Sequence, residues 1–227
     1  HTVYTVDLLG CGRSDKSSIT YTNFVYVQMI SDFIKKIIGQ KTDVIASGFS
    51  GSFVTRACHN EKELFNKIML VNPPSLTQLK QMPNRKDRLL KAALEIPIFG
   101  TLVYHMIVSR DNINNLFIEK MYYNPFHVDN QMADAYYEAA HKGGYYTRFL
   151  YSSLAAKYIN INICHALKAL DNSIYIVEGE TEPNGKAVTD DYCASNPAIE
   201  VSVLKETKHL PHVEAPEAFL EQVKIFF

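Results

Sequence analysis

The 227 residues carry 47% hydrophobic side chains and a formal charge of −1, enough apolar content for one sizeable core plus an insertion. Lys and Arg are dispersed and balanced by acids, so the basic stripe that nucleic-acid binding needs is missing. Cys11, Cys58, Cys164 and Cys193 make no C-x-x-C pair, which reads as reduced thiols in a cytoplasmic protein, and no apolar run reaches the ~18–20 residues of a membrane span.

In chain order, Val3–Asp7 reads as a strand leaving into the glycine-rich turn Gly10-Cys11-Gly12-Arg13-Ser14-Asp15. As a dinucleotide fingerprint this turn lacks the third glycine and an ensuing helix start. Thr22 is an N-cap for a helix whose Tyr26, Met29, Ile30, Phe33, Ile34, Ile37 and Ile38 recur at helical spacing, closed by Gly39. A strand from about Asp43 to Ser47 and a helix through His59 follow, then a short buried strand, Lys67–Val71, ending at Asn72-Pro73-Pro74.

From Ser75 to Ile163 strand-like runs vanish. Arg85–Glu95, Asn114–Tyr123 and Gln131–His141 read as helices separated by Pro97, Gly100, Pro125 and Gly143-Gly144. The aromatic residues of this stretch, among them Tyr104, Phe117, Tyr136 and Tyr151, either line an apolar pocket or pack among themselves. Strands resume at Ser173–Glu178 and Ile199–Leu204; the second leads to His209, and Pro216 opens an amphipathic run to Phe227. Alternating strands and helices predict an α/β fold with a mostly parallel sheet flanked by helices.

Between Val44 and Phe53 a β-branched run breaks into small residues around one serine, the pattern of a nucleophile presented at a sharp strand-to-helix turn. The pattern G-x-S-x-G reads here Gly48-x-Ser50-x-Ser52. A serine hydroxyl becomes nucleophilic when an imidazole takes its proton, and His209 suits that role, with His212 three residues on as its competitor. His59, His105, His127, His141 and His165 have no spacing that gathers them into a metal site.

Three segments together resemble the α/β-hydrolase superfamily. They are Asp7-x-x-Gly10-x-Gly12-x-Ser14, the serine elbow, and His209-x-Pro211-x-x-Glu214-x-Pro216, in the family's order and covering residues 1 to about 75 and 170 to 227. Ser52 and Lys208 stand where the family usually has glycine. The resemblance implies an α/β-hydrolase core over 1–74 and 164–227, with a helical cap inserted at 75–163. It also implies that the first strands are missing from a chain that opens at His1, and with them one oxyanion donor and any targeting signal.

Within that frame Ser50 is the nucleophile, His209 the base and Glu182 the acid, with Glu180, Asp190 and Asp191 as other candidates for the acid. The Gly51 N–H serves the oxyanion and Phe49 contacts substrate. The expected activity is cleavage of an ester or related acyl bond of a small apolar substrate through an acyl-enzyme, with no metal or organic cofactor. Carbon–carbon bond hydrolases and cofactor-free peroxidases share the serine. The alternative is a catalytically silent member of the fold that binds a small apolar ligand under the cap. The oligomeric state is not legible.

Overall fold

The structure, a computed structural model, describes residues 2–227; His1, where the chain opens, lies outside the described residues. The chain forms two compact units. Val27–Gln81, Ile118–His127 and Ile161–Phe227 make up the sheet unit.

Four strands, β1 (Thr42–Ser47), β2 (Phe65–Val71), β3 (Ile174–Gly179) and β4 (Glu200–Leu204), lie in the order β1-β2-β3-β4, and every neighbouring pair is parallel. Central parallel strands are covered on both faces, so they need near-continuous apolar runs. β2 and β3 supply them: Ile68, Met69, Leu70, Ile176 and Val177 are fully buried. The outer strands β1 and β4 alternate with exposed residues, Ile45 and Val203 among them.

The register decides where chemistry can collect. Ser47 pairs with Val71 and Val71 with Val177, while Gly179 pairs with Leu204. The residues after all four strands therefore emerge at one rim, the carboxyl ends, where open α/β sheets place ligands.

Helix α1 (Asn23–Phe33) precedes β1 and runs on through a π turn, Ile34–Ile38. It stops at Gly39, which takes a φ of 71° so that its N–H caps Ile34 O at 2.7 Å. Helix α2 (Phe49–Asn60) joins β1 to β2, and α3 (Cys164–Ala169) precedes β3. Between β3 and β4 lies α4 (Gly185–Ser195), and α5 (Pro216–Phe226) closes the chain. Pro216 sits at the start of α5, where its missing N–H costs nothing. Phe219 of α5 packs into a cluster of Met69, Val71, Tyr175, Val177 and Leu204. The Tyr175 ring stacks on Phe226 at 5.1 Å, and its hydroxyl donates to Gln222 Oε1 at 2.7 Å.

The other unit joins the residues up to Tyr26 with Met82–Phe117 and Val128–Asn160. Helices Arg85–Glu95, Phe99–Ile107, Asn130–His141 and Arg148–Ala155 dominate it. The first opens on a capping box, in which Asn84 Oδ1 accepts the Asp87 N–H and the Asp87 carboxylate accepts that of Asn84. Several of its aromatics pack on one another: Phe117 meets Tyr136 edge-on at 4.9 Å, and Tyr104 meets Tyr151 at 5.9 Å. Among the described residues, no single helix is long and apolar enough to cross a membrane.

The resemblance puts residues 1–26 with the core and 118–127 with the insertion. In the structure Tyr21 N donates to Ser153 Oγ and Asn23 Nδ2 to Asn160 O, tying the opening segment to the helical unit. Conversely Met121 O accepts the His209 N–H, which ties 118–127 to the sheet unit. The strand expected at Val3–Asp7 is not formed: residues 2–8 have no regular structure and 2–7 are exposed. A strand exists only with a ladder partner, and a β-rich run without one remains extended chain. The turn after it does form, closed by Asp7, whose carboxylate accepts the Arg13 N–H at 2.8 Å.

Candidate active site

β1 ends at Ser47 and α2 starts at Phe49, so the residue at the strand-to-helix corner is Gly48. It adopts φ 56° and ψ −131°, a conformation costly for any residue with a Cβ. Its N–H donates to Val71 O at 2.9 Å, fixing the corner to the end of β2. A Cβ at Gly48 would meet nothing within 4 Å.

Gly48 and Phe49 line a cavity of about 370 Å³ together with Asn72, Glu178, Glu182 and His209. Ser50 does not line it; it sits in the first turn of α2. Gly51 packs against Leu70, and its N–H is taken by Gly48 O at 3.1 Å, so it has no hydrogen to offer an oxyanion. Phe49 and Ser50 open α2, so their N–H groups are among the donors that a helix start leaves without an intrahelical partner. Phe49 is thus both a wall of the cavity and the donor next to the corner. Ser52 is buried inside α2, where its hydroxyl donates to Phe49 O.

The turn after β3 carries Glu182. His209 Nδ1 meets Glu182 Oε1 at 3.1 Å, with both side chains partly buried. Glu180 faces elsewhere, accepting the Glu206 N–H at 2.9 Å, while Asp190 and Asp191 are exposed on α4. A carboxylate on Nδ1 holds the proton there and leaves Nε2 as the basic nitrogen. His212 is not placed for that role: burial, followed by the charge of His209, pushes its imidazole below the usual histidine range, and its Nδ1 is buried without a hydrogen-bond partner.

Asn72 positions this pair. At the end of β2, with φ 42°, its side-chain oxygen accepts the Gly179 N–H at 3.0 Å. Its Nδ2 donates to Lys208 O at 2.8 Å and His209 O at 2.9 Å. One buried amide therefore joins the strand that leads to Glu182 to the loop that holds His209. Gly179 must be glycine for these loops to approach, because a Cβ there would lie 1.9 Å from Lys208 O. Glu214 completes the loop by accepting the Lys208 N–H at 2.8 Å and the Tyr123 N–H at 2.6 Å. Lys208 needs no special backbone angle in this arrangement, so a side chain is tolerated there.

A family model described as the alpha/beta hydrolase family matches residues 1–222. The chain belongs to the α/β hydrolase family. No curated protein matches its sequence. Solved structures share the fold. A serine hydrolase involved in carbazole degradation has a TM-score of 0.76 at 15% identity, covering 97% of this chain and 76% of that one. For the 2-hydroxy-6-oxo-6-phenylhexa-2,4-dienoate hydrolase of Rhodococcus sp. strain RHA1 the values are 0.73, 16%, 97% and 78%. An esterase of Exiguobacterium antarcticum gives 0.71, 13%, 97% and 79%.

Membership of the α/β hydrolases supports a hydrolase role. Among the described residues, no group of three or more His, Cys, Asp or Glu could hold a metal ion. In this α/β hydrolase the structure brings Glu182, His209 and Phe49 to one cavity and leaves Ser50 and Gly51 out of its lining. Sequence reasoning missed Gly48, Asn72 and Glu178. The signal for Gly48 was present in the strand limit: a strand that stops at Ser47 makes residue 48 the corner, and only glycine adopts a positive φ freely.

Proposed function

We propose that this α/β hydrolase cleaves a small activated acyl compound by direct attack of water, with His209 as general base and Glu182 as the carboxylate that orients it. The observation carrying the reading is Gly48. The corner where the fold presents a nucleophile bears no side chain, while the imidazole–carboxylate pair faces the same cavity. His209 Nε2 takes a proton from water as the water oxygen bonds to the acyl carbon. The oxyanion forms against the Phe49 N–H and the start of α2, where free donors and the helix dipole favour negative charge. Collapse of the tetrahedral adduct breaks the acyl bond, and the imidazolium returns its proton to the leaving group.

Esterases stand among the structural neighbours beside a 2-hydroxy-6-oxo-6-phenylhexa-2,4-dienoate hydrolase, so p-nitrophenyl acetate is the first substrate to try. The expected result is turnover without an initial burst, lost in His209→Ala and untouched by prior exposure to a fluorophosphonate. A fluorophosphonate adduct on Ser50, absent from Ser50→Ala, would replace this reading with the acyl-enzyme route. A second reading, ligand binding without turnover, draws on the same bare corner, and folded protein with no His209-dependent hydrolysis would select it.

A further inference from the structure

The helix pair Arg85–Glu95 and Phe99–Ile107 turns apolar side chains outward. In the second helix Phe99, Leu102 and Met106 recur at the i, i+3, i+7 spacing of one stripe, and each is more than half exposed. In the first, Leu89 shares a stripe with Arg85 and with Ile96 at the C-cap, and both apolar residues are exposed. At the bend between the helices Ile98 is 86% exposed and holds a φ of 68°, which a β-branched residue rarely adopts. Pro97, Ile98, Leu102 and the exposed Tyr145 border one cavity of about 550 Å³, which joins the bend, the second helix and Tyr145 into a continuous surface. An amphipathic helix ordinarily buries such a stripe, and a large apolar patch left to water marks the place of a partner.

Charge narrows what that partner is. Arg85, Lys86 and Arg88 are exposed on the first helix. The only acids between Met82 and Ile107 are Asp87 and Glu95. Asp87 is buried with the Lys157 ammonium on its carboxylate, and the Glu95 carboxylate is taken by Lys91 and the Ser152 hydroxyl. The acid and base that water sees on this pair are therefore unbalanced, with three cations and no free carboxylate. Together the two helices have the length and apolar content of a membrane span, but they are bent by 98° and so do not make one. Outward apolar stripes, a cationic flank and no straight span are the features of a segment that lies in a bilayer interface. A second copy laid face to face would instead bring the cations together with no exposed acid from either pair to answer them. We propose that this helix pair docks on an anionic lipid surface. Ile98, Phe99 and Leu102 enter the boundary of the acyl chains, while Arg85, Lys86 and Arg88 meet the headgroup charge. The proposal is independent of the reaction at His209.

The test is co-sedimentation of the full chain with vesicles of phosphatidylcholine alone and of phosphatidylcholine mixed with phosphatidylserine, at low and at physiological salt. Binding to the mixed vesicles is expected, weakening as salt rises, and roughly tenfold or more above that to phosphatidylcholine alone. Arg85→Gln, Lys86→Gln and Arg88→Gln are each expected to lower partitioning about fivefold, the worth of one cation near an anionic surface. Phe99→Ser and Leu102→Ser are each expected to lower it about tenfold, because an apolar group no longer leaves water on docking. Both side chains are exposed, so the melting temperature is expected to hold. No binding to the mixed vesicles, equal binding to both kinds, or binding unmoved by Phe99→Ser and Leu102→Ser would each overturn the proposal. Sedimentation velocity without lipid is the companion measurement: a parent that self-associates and becomes monomeric in Leu102→Ser would assign the face to a second copy and overturn the proposal as well. The comparison of vesicles on the unaltered chain decides even if a variant unfolds.

Discussion

Placing a hydroxyl at the corner is the sharpest check on the assignment of Gly48. In Gly48→Ser the new Cβ meets nothing within 4 Å, so the variant pays no overlap cost and only the conformational cost of a side chain at φ 56°. That cost is about 1–2 kcal/mol. At roughly 2–4 °C of melting temperature per kcal/mol for a domain of this size, the variant should melt ~2–8 °C below the parent and remain folded at room temperature. Gly48→Ala carries the same backbone cost without a hydroxyl and serves as the control. The assay is intact mass after a fluorophosphonate. A single adduct is expected on Gly48→Ser, none on the parent or Gly48→Ala, and labelling slowed by roughly 10²–10⁴ when His209→Ala is added, the usual worth of a positioned general base. Folded Gly48→Ser that takes no adduct would refute the placement of the corner against His209.

Asn72→Ala removes the acceptor of the Gly179 N–H and the donor to two loop carbonyls, so a loss of about 2–4 kcal/mol is expected by chemical denaturation, with any His209-dependent turnover falling further than stability accounts for. Phe219→Ala opens a cavity in the cluster between the sheet and α5 and is expected to cost about 3–5 kcal/mol, with ligand binding unchanged where the variant is folded. Glu178 has its folded-state pKa raised, so its ionisation opposes folding as pH rises through the folded value. Glu178→Gln is therefore expected to be more stable than the parent at pH 8, with the difference closing as pH falls toward 4. His212 has its folded pKa lowered, so the parent loses stability as pH falls below the ordinary histidine value, and His212→Gln is expected to flatten that slope in thermal melts.

Much of the fold was legible because it is written in local patterns. The apolar runs at Lys67–Val71 and Ser173–Glu178 announce buried parallel strands, and their ends predict the rim where the chemistry gathers. His209 and Glu182 lie on loops at that rim, so motif order sufficed to propose them, with Glu180 only as an alternative; the coordinates add which carboxylate turns toward the imidazole, Glu182, while Glu180 accepts the Glu206 N–H. Ser50 illustrates the opposite case. A pattern of small residues fixes the turn's composition but not its phase, and a shift of two residues moves the corner from a hydroxyl to a hydrogen. Asn72 and Glu178 carry no motif at all; their roles arise from register between strands distant in sequence, which no local pattern records.

The double grip of Asn72 has a dynamic consequence. Because a single amide grasps the backbones on both sides, the main-chain spacing between the end of β3 and the His209 loop is held before the Glu182 and His209 side chains choose their rotamers. A tilt of one loop must either stretch these bonds or carry the other loop along. The imidazole can thus keep its tautomer while the surrounding surface breathes.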